Sequence, residues 1–256
     1  LRLLAAEGRL KGRGIDSLVN LRPGRAARDR EIGQAAFESL CAGLPCWTDP
    51  IPLLNTFIEL VRLPSPSGSE TEVASYLSAE LQSLSPDGIT TDPIGNLVAT
   101  FPATSDQAPG LLFTAHMDCV YPGDRFPVVP VFGESGEIRT DGSNSLGADD
   151  KAGIAAILAT LGYIRGTQVP HGPIRVLFTV QEEIGFRGIK QVPASILNGI
   201  HLVLSMDPPV RVGRDETAHM AVLHMLPGHP LVPVVRQAAQ DCGLSPTVLF
   251  EDQGYV

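Results

Sequence analysis

Three short apolar runs, Gly110 to Ala115, Pro173 to Val180 and Leu202 to Met206, each lead straight into acidic residues. The first is followed by His116-Met117-Asp118, the second by Glu182-Glu183 and the third by Asp207. Such runs are the pattern of strands buried in a sheet rather than half-exposed to water. Helical spacing alternates with them: Ile154, Ile157, Leu158 and Leu161 recur on one face of Gly153 to Tyr163, just after a fourth cluster, Asp149-Asp150. This alternation predicts an α/β fold, a mixed, mostly parallel sheet flanked by helices, in which ligands bind beyond the carboxyl ends of the strands. Carboxylates and an imidazole delivered to that edge are costly to desolvate unless something binds there, and a divalent metal is the simplest occupant.

The remaining elements fit the same plan. Leu53, Leu54, Phe57, Leu60 and Val61 follow Asp49-Pro50 at helical spacing, so a folded domain is expected over residues 49–256. Ser67 or Ser69, with Glu70 or Glu72 three residues on, reads as a capping box for a second helix. Ile89 to Phe101 reads as a hairpin turning at Asp92 to Asn96, and Pro122 to Thr140 as a loop with a short hairpin. Pro230 to Gln240 resembles a helix with Leu231, Val234, Val235 and Ala238 on one side, and Pro246 to Phe250 a last strand; Pro208 to Gly228 shows no period. Residues 1–48 are Arg-rich and predict a poorly ordered basic extension.

Charge narrows the partners. The net charge is -9, yet residues 1–31 hold eight Lys/Arg against four Asp/Glu, which leaves eleven against twenty-four in the rest. An acidic body does not attract nucleic acid or an anionic membrane. Four scattered cysteines and the lack of a long apolar span fit a cytoplasmic chain, with no membrane segment expected.

Each cluster has an ordinary reading beside the chemical one. His116 and Asp118 lie two apart, so in a strand they share a face and the carboxylate can orient the imidazole or share its metal, though His-x-Asp alone is commonplace. Asp149-Asp150 can cap the helix that follows, which explains one aspartate but not both. Adjacent Glu182 and Glu183 point apart, so one can ligate a metal while the other takes a proton from water. Asp207, before Pro208-Pro209, could simply end a strand. Cys119, on the opposite face to Asp118, reads as a small buried hydrophobe.

The segments Phe113-Thr-Ala-His-Met-Asp118, Leu146-Gly-Ala-Asp-Asp-Lys-Ala-Gly153, Thr179-Val-Gln-Glu-Glu-Ile-Gly185 and Ser205-Met-Asp207 resemble the co-catalytic zinc peptidase and deacylase family that includes tripeptidase T, acetylornithine deacetylase and glutamate carboxypeptidase. The wording Gly-Ala-Asp-Asp-Lys-Ala-Gly is most similar to the tripeptidase T branch. The resemblance implies metal ligands His116, Asp149, Glu183 and Asp207, with His116 and Asp207 on one zinc, Asp149 bridging two and Glu183 on the other. It implies that Asp118 orients His116, that Glu182 is the general base, and that the Asp149-Asp150 peptide is cis. The implied activity is hydrolysis of short peptides from the N-terminus by a zinc-activated water; manganese or cobalt also suit carboxylate-rich sites.

Two family features have no counterpart in this sequence. Only Pro208 to Gly228 separates Asp207 from the next helix, too little for the family's lid domain, so family-type dimerisation is not expected. Nothing after Val256 supplies the family's late histidine, so one complete zinc site is expected; His219, His224 and His229 are the only histidines near the shortened connection. Two alternatives therefore stand beside the peptidase: an amidase or deacylase of N-acyl amino acids, and a catalytically impaired remnant that retains the fold.

Overall fold

The computed structural model describes residues 51–132, 138–207, 222–225, 231–241 and 247–250. The basic segment 1–48, His219, His229 and the end of the chain lie outside them.

Helix α1 (Ile51–Arg62) and helix α2 (Thr71–Ser83) open the fold. Strands β1 (Gly88–Thr91) and β2 (Leu97–Phe101) form the expected hairpin, closed with Thr91 opposite Leu97. Its turn is built by one side chain, because Asp92 Oδ1 accepts the N–H groups of Ile94, Gly95 and Asn96. Strand β3 (Leu111–His116) follows, then the small antiparallel pair β4 (Pro130–Phe132) and β5 (Ile138–Thr140). Helix α3 (Ala148–Thr167), strand β6 (Ile174–Thr179) and strand β7 (Leu202–Ser205) complete the main sheet. A separate parallel pair, β8 (Val222–Met225) with β9 (Thr247–Phe250), flanks helix α4 (Val232–Asp241) in sequence.

The five-stranded sheet has the order β1-β2-β6-β3-β7, with β6, β3 and β7 parallel and β2 antiparallel to both of its neighbours. Only β2 therefore runs against the others, which is the mixed, mostly parallel sheet that the apolar runs predict. One face carries Leu97, Ala99, Phe113, Ala115, Ile174, Val176 and Phe178 into the core, packed with Phe57, Ile58, Leu77, Leu81, Ile154 and Ile157 from the three long helices. Removing these large side chains from water supplies the main driving force for the fold. Gly153 lets α3 sit tightly on the sheet: a Cβ there would overlap Asp150 Oδ1 and the carbonyl oxygen of Met206.

Register then fixes the site. His116 lies opposite Thr179 and Thr114 opposite Ser205 in the parallel ladders, so the carboxyl ends of β3, β6 and β7 finish at one rim. The chain remains tied there past the strands, with Met117 N–H donating to the Thr179 carbonyl and Met206 N–H to that of Thr114.

One local expectation fails, a second holds in part, and a stretch left without a reading contains a strand. The capping box does not form: α2 begins at Thr71, its N-cap Glu70 makes no side-chain capping bond, and Glu70 is turned to a longer-range contact instead. On α4 the buried residue is Ala239, with Leu231 and Val235 partly buried on the same side, while Val234 and Ala238 are exposed, so only half of the expected stripe is turned inward. Strand β8 lies within the stretch that showed no period, since four residues of a strand are too few to give one.

Candidate metal centre

His116 ends β3 with its ring almost wholly buried. Its Nδ1 lies 2.9 Å from the Asp118 carbonyl oxygen and 3.5 Å from Asp118 Oδ1, and its Nε2 lies 3.0 Å from Asp149 Oδ1. Both ring nitrogens thus face acceptors, an arrangement that suits a protonated ring, or a ring holding a cation at Nε2. Burial pulls the His116 pKa down, but the bonds to Asp118 and Asp149 and the charges of Asp150 and Asp207 outweigh it and push it up to about 11.

Asp118 is fully buried and gathers donors from three directions. Its Oδ2 accepts the Ser67 hydroxyl at 2.6 Å and the Glu183 N–H at 3.1 Å, and its Oδ1 accepts the Glu182 N–H at 2.8 Å. Burial raises its pKa, yet these donors and His116 prevail and hold it below the ordinary value. Asp118 therefore holds the imidazole through its carbonyl oxygen, with its carboxylate 3.5 Å away, while that carboxylate fixes the backbone of the glutamate pair.

The two aspartates before α3 divide the work that sequence alone could not divide. The Asp149-Asp150 peptide is cis, and both residues have non-helical backbone angles. Asp150 is the capping residue: Oδ1 accepts Gly153 N–H at 3.2 Å and Oδ2 accepts His116 N–H at 3.1 Å, and burial with neighbouring acids pushes its pKa up to about 8. Asp149 is about half exposed and presents its carboxylate to His116.

Glu182 and Glu183 occupy a tight turn after β6, where Gln181 and Phe186 take left-handed backbone angles and Gly185 and Phe186 N–H donate to the Glu182 carbonyl. Gly188 closes it because a Cβ would collide with the Val180 carbonyl and Asn96 Oδ1. Asn96, itself buried, accepts Val180 N–H at 3.0 Å and donates to the Gly188 carbonyl at 2.9 Å. Burial first, then the neighbouring carboxylates, raise the pKa of both glutamates and of Asp207.

The sequence-predicted residues therefore share one rim. Ligand atoms of His116, Asp149 and Glu183 lie within 4.8 Å of one another, close enough for one cation. Asp207 falls outside that trio, although its charge acts on His116, Asp150 and Glu182. The geometry thus groups Glu183 with His116, where the resemblance pairs His116 with Asp207. Asp149 raises the pKa of Asp207, the repulsion that a shared cation relieves. A donor set of one imidazole and carboxylates fits zinc, manganese or cobalt.

A match to the model of peptidase family M28 runs over residues 96–230, just over half of the sequence, and includes every one of these residues. The chain belongs to that peptidase family. It is similar to protein YqjE of Bacillus subtilis, 38% identical over a 152-residue alignment that covers 57% of this chain and 40% of that protein. Peptidase T of Brevibacillus brevis is 29% identical over a 211-residue alignment that covers 66% of this chain and 51% of the relative. The structure of a tripeptidase from Staphylococcus aureus superposes with a TM-score of 0.58 at 35% identity, covering 68% of this chain and 46% of that one. These likenesses place the chain near peptidase T, and it spans about two fifths to a half of the length of the curated relatives it matches. Among the described residues no helix is long and apolar enough to cross a membrane.

Sequence reasoning missed four contributors. Ser67 and Glu70 were visible only as a capping pattern, Asn96 only as a turn residue, and Lys151 only as part of a motif. Lys151 is fully buried, its Nζ donating to the Leu63 carbonyl at 2.5 Å and to Tyr121 Oη at 2.7 Å, and burial pulls its pKa down to about 8. The Leu63 carbonyl lies just past the end of α1, so this ammonium ties α1 to the segment that carries Asp149.

Proposed function

We propose that this chain carries the catalytic centre of a metal-dependent peptidase that removes the N-terminal residue from short peptides, working in the cytoplasm. The observation that carries this reading is the convergence of His116, Asp149 and Glu183 within 4.8 Å, with Glu182 adjacent to Glu183 in its turn. His116, Asp149, Glu183 and Asp207 would hold the cation, zinc by preference. Bound there, it would supply a Lewis acid for the scissile carbonyl and lower the pKa of a water.

The chain's own residues do the rest. Asp118 holds the His116 ring in orientation and fixes the backbone of Glu182 and Glu183. Glu182 is the general base: burial and neighbouring acids raise its pKa, which makes it a better proton acceptor than an ordinary surface glutamate and then a donor to the leaving amine. The part-burial of the rim strengthens these electrostatic effects relative to open water.

A tripeptide hydrolysis assay on the zinc-loaded chain tests the reading with Glu182→Gln. The variant should bind zinc at the parent's stoichiometry and lose about 100-fold or more in kcat, the usual contribution of a positioned base. A variant that cleaves as fast as the parent would show that Glu182 takes no proton.

A further inference from the structure

We propose that Glu70 is a positioning residue for the glutamate pair, acting through the backbone of Gln181; this rests on the peptidase reading above. Glu70 is only 5% exposed and stands at the start of α2, where a serine or aspartate would cap the helix more cheaply. It caps nothing. Instead Oε1 accepts the N–H of Gly68 at 2.8 Å and, across 111 residues of chain, the N–H of Gln181 at 3.0 Å.

Gln181 lies two residues past the end of β6, and its φ of 54° lies in the left-handed region that a non-glycine residue avoids. Such a conformation persists only where surrounding bonds over-determine it. Three side chains from distant segments grip the turn in succession: Asn96 takes the N–H of Val180, Glu70 that of Gln181, and Asp118 those of Glu182 and Glu183. The loop before α2 is itself anchored to the same rim, with Ser67 donating to Asp118 and the Ser65 carbonyl accepting Cys119 N–H. Gly68, at φ 88°, provides the bend that brings Glu70 round. Freeing Gln181 lets the turn relax toward ordinary backbone angles and carries the carboxylate of Glu182 away from the trio.

The role needs an acceptor atom, not a charge, so two variants separate it from simple stability. Glu70→Gln keeps the accepting oxygen and should hydrolyse tripeptide within about threefold of the parent, whereas Glu70→Ala should lose about 10- to 100-fold in kcat with KM changed less than about threefold. If Glu70→Ala does not fold, Glu70→Met, which fills the space without an acceptor, takes its place. Amide hydrogen exchange on the metal-free chain gives a readout free of activity: exchange at Gln181 to Glu183 should quicken in the Ala or Met variant while β3 and β6 keep the parent's protection. Parent-like kcat with parent-like exchange in Glu70→Ala, a loss in Glu70→Gln as large as in Glu70→Ala, or failure of both the Ala and Met variants to fold overturns the proposal. A parent that neither binds zinc nor cleaves peptide sinks the peptidase reading instead, and the exchange arm still decides whether Glu70 holds the turn.

Discussion

Replacing Lys151 with Met should change the way stability depends on pH more than it changes stability itself. The ammonium is fully buried and makes two hydrogen bonds, to the Leu63 carbonyl and to Tyr121 Oη. Burial lowers its pKa from 10.5 to about 8, so desolvation disfavours its charged form by about 3 kcal/mol. A methionine of similar length escapes that cost but forfeits the two bonds, worth about 1 kcal/mol each, and below pH 8 the two effects nearly cancel. Because the folded pKa lies below the unfolded one, the unfolded chain binds more protons between about 8 and 10.5, and the parent gains stability as pH rises through that window. The gain is complete above 10.5 and is lost as pH falls through about 8. Cys119 and Tyr121, whose own pKa values burial pushes up, pull stability the other way over the same range in both chains, Cys119 more so in the variant, which lacks the Lys151 charge that lowers its pKa. Urea denaturation of parent and Lys151→Met at several pH values isolates the lysine: the difference should move by about 3 kcal/mol in the parent's favour from neutral pH to beyond the unfolded pKa. A difference that stays flat over that range would mean that Lys151 is not held neutral by burial.

Asp118→Ala should destabilise the chain by about 2–4 kcal/mol, because it strands the Ser67 hydroxyl and the N–H groups of Glu182 and Glu183; a urea midpoint equal to the parent's would refute the part assigned to that carboxylate. In the metal-free chain the raised pKa of His116 contributes stability that is full below 6.5 and lost as pH rises through about 11, so a cation arriving at Nε2 near neutral pH must displace a proton. Calorimetric zinc titrations in buffers of different ionisation enthalpy should therefore show about one proton released per zinc and tighter binding as pH rises, and binding without proton release would contradict that picture.

The rim's acidic character was legible from residue order because three of the four clusters follow strands of the sheet closely, and a parallel sheet brings the ends of such strands together whatever lies between them. The division between Asp149 and Asp150 was half legible: capping accounted for one of them, but only the kinked entry to α3 shows that Asp150 turns inward to Gly153 and His116 while Asp149 faces the ring. The place of Asp207 was not legible, since side-chain separations among like charges depend on what neutralises them. The face of α4, right at Leu231 and Val235 but not at Val234 and Ala238, has a similar origin: periodicity identifies an apolar stripe, but burial depends on what packs against it.

What the sequence determined by itself is therefore local or periodic: which runs form strands, which stretches form helices, and which chemistry stands at their ends. Tertiary structure alone decided the bonds that span long stretches of chain, from Glu70 to Gln181, from Asn96 to Gly188 and from Lys151 to Leu63. A pattern of apolar spacing carries no information about such pairs, because each depends on strand register and on the angle at which the chain leaves a strand, and both are set only when the whole core packs.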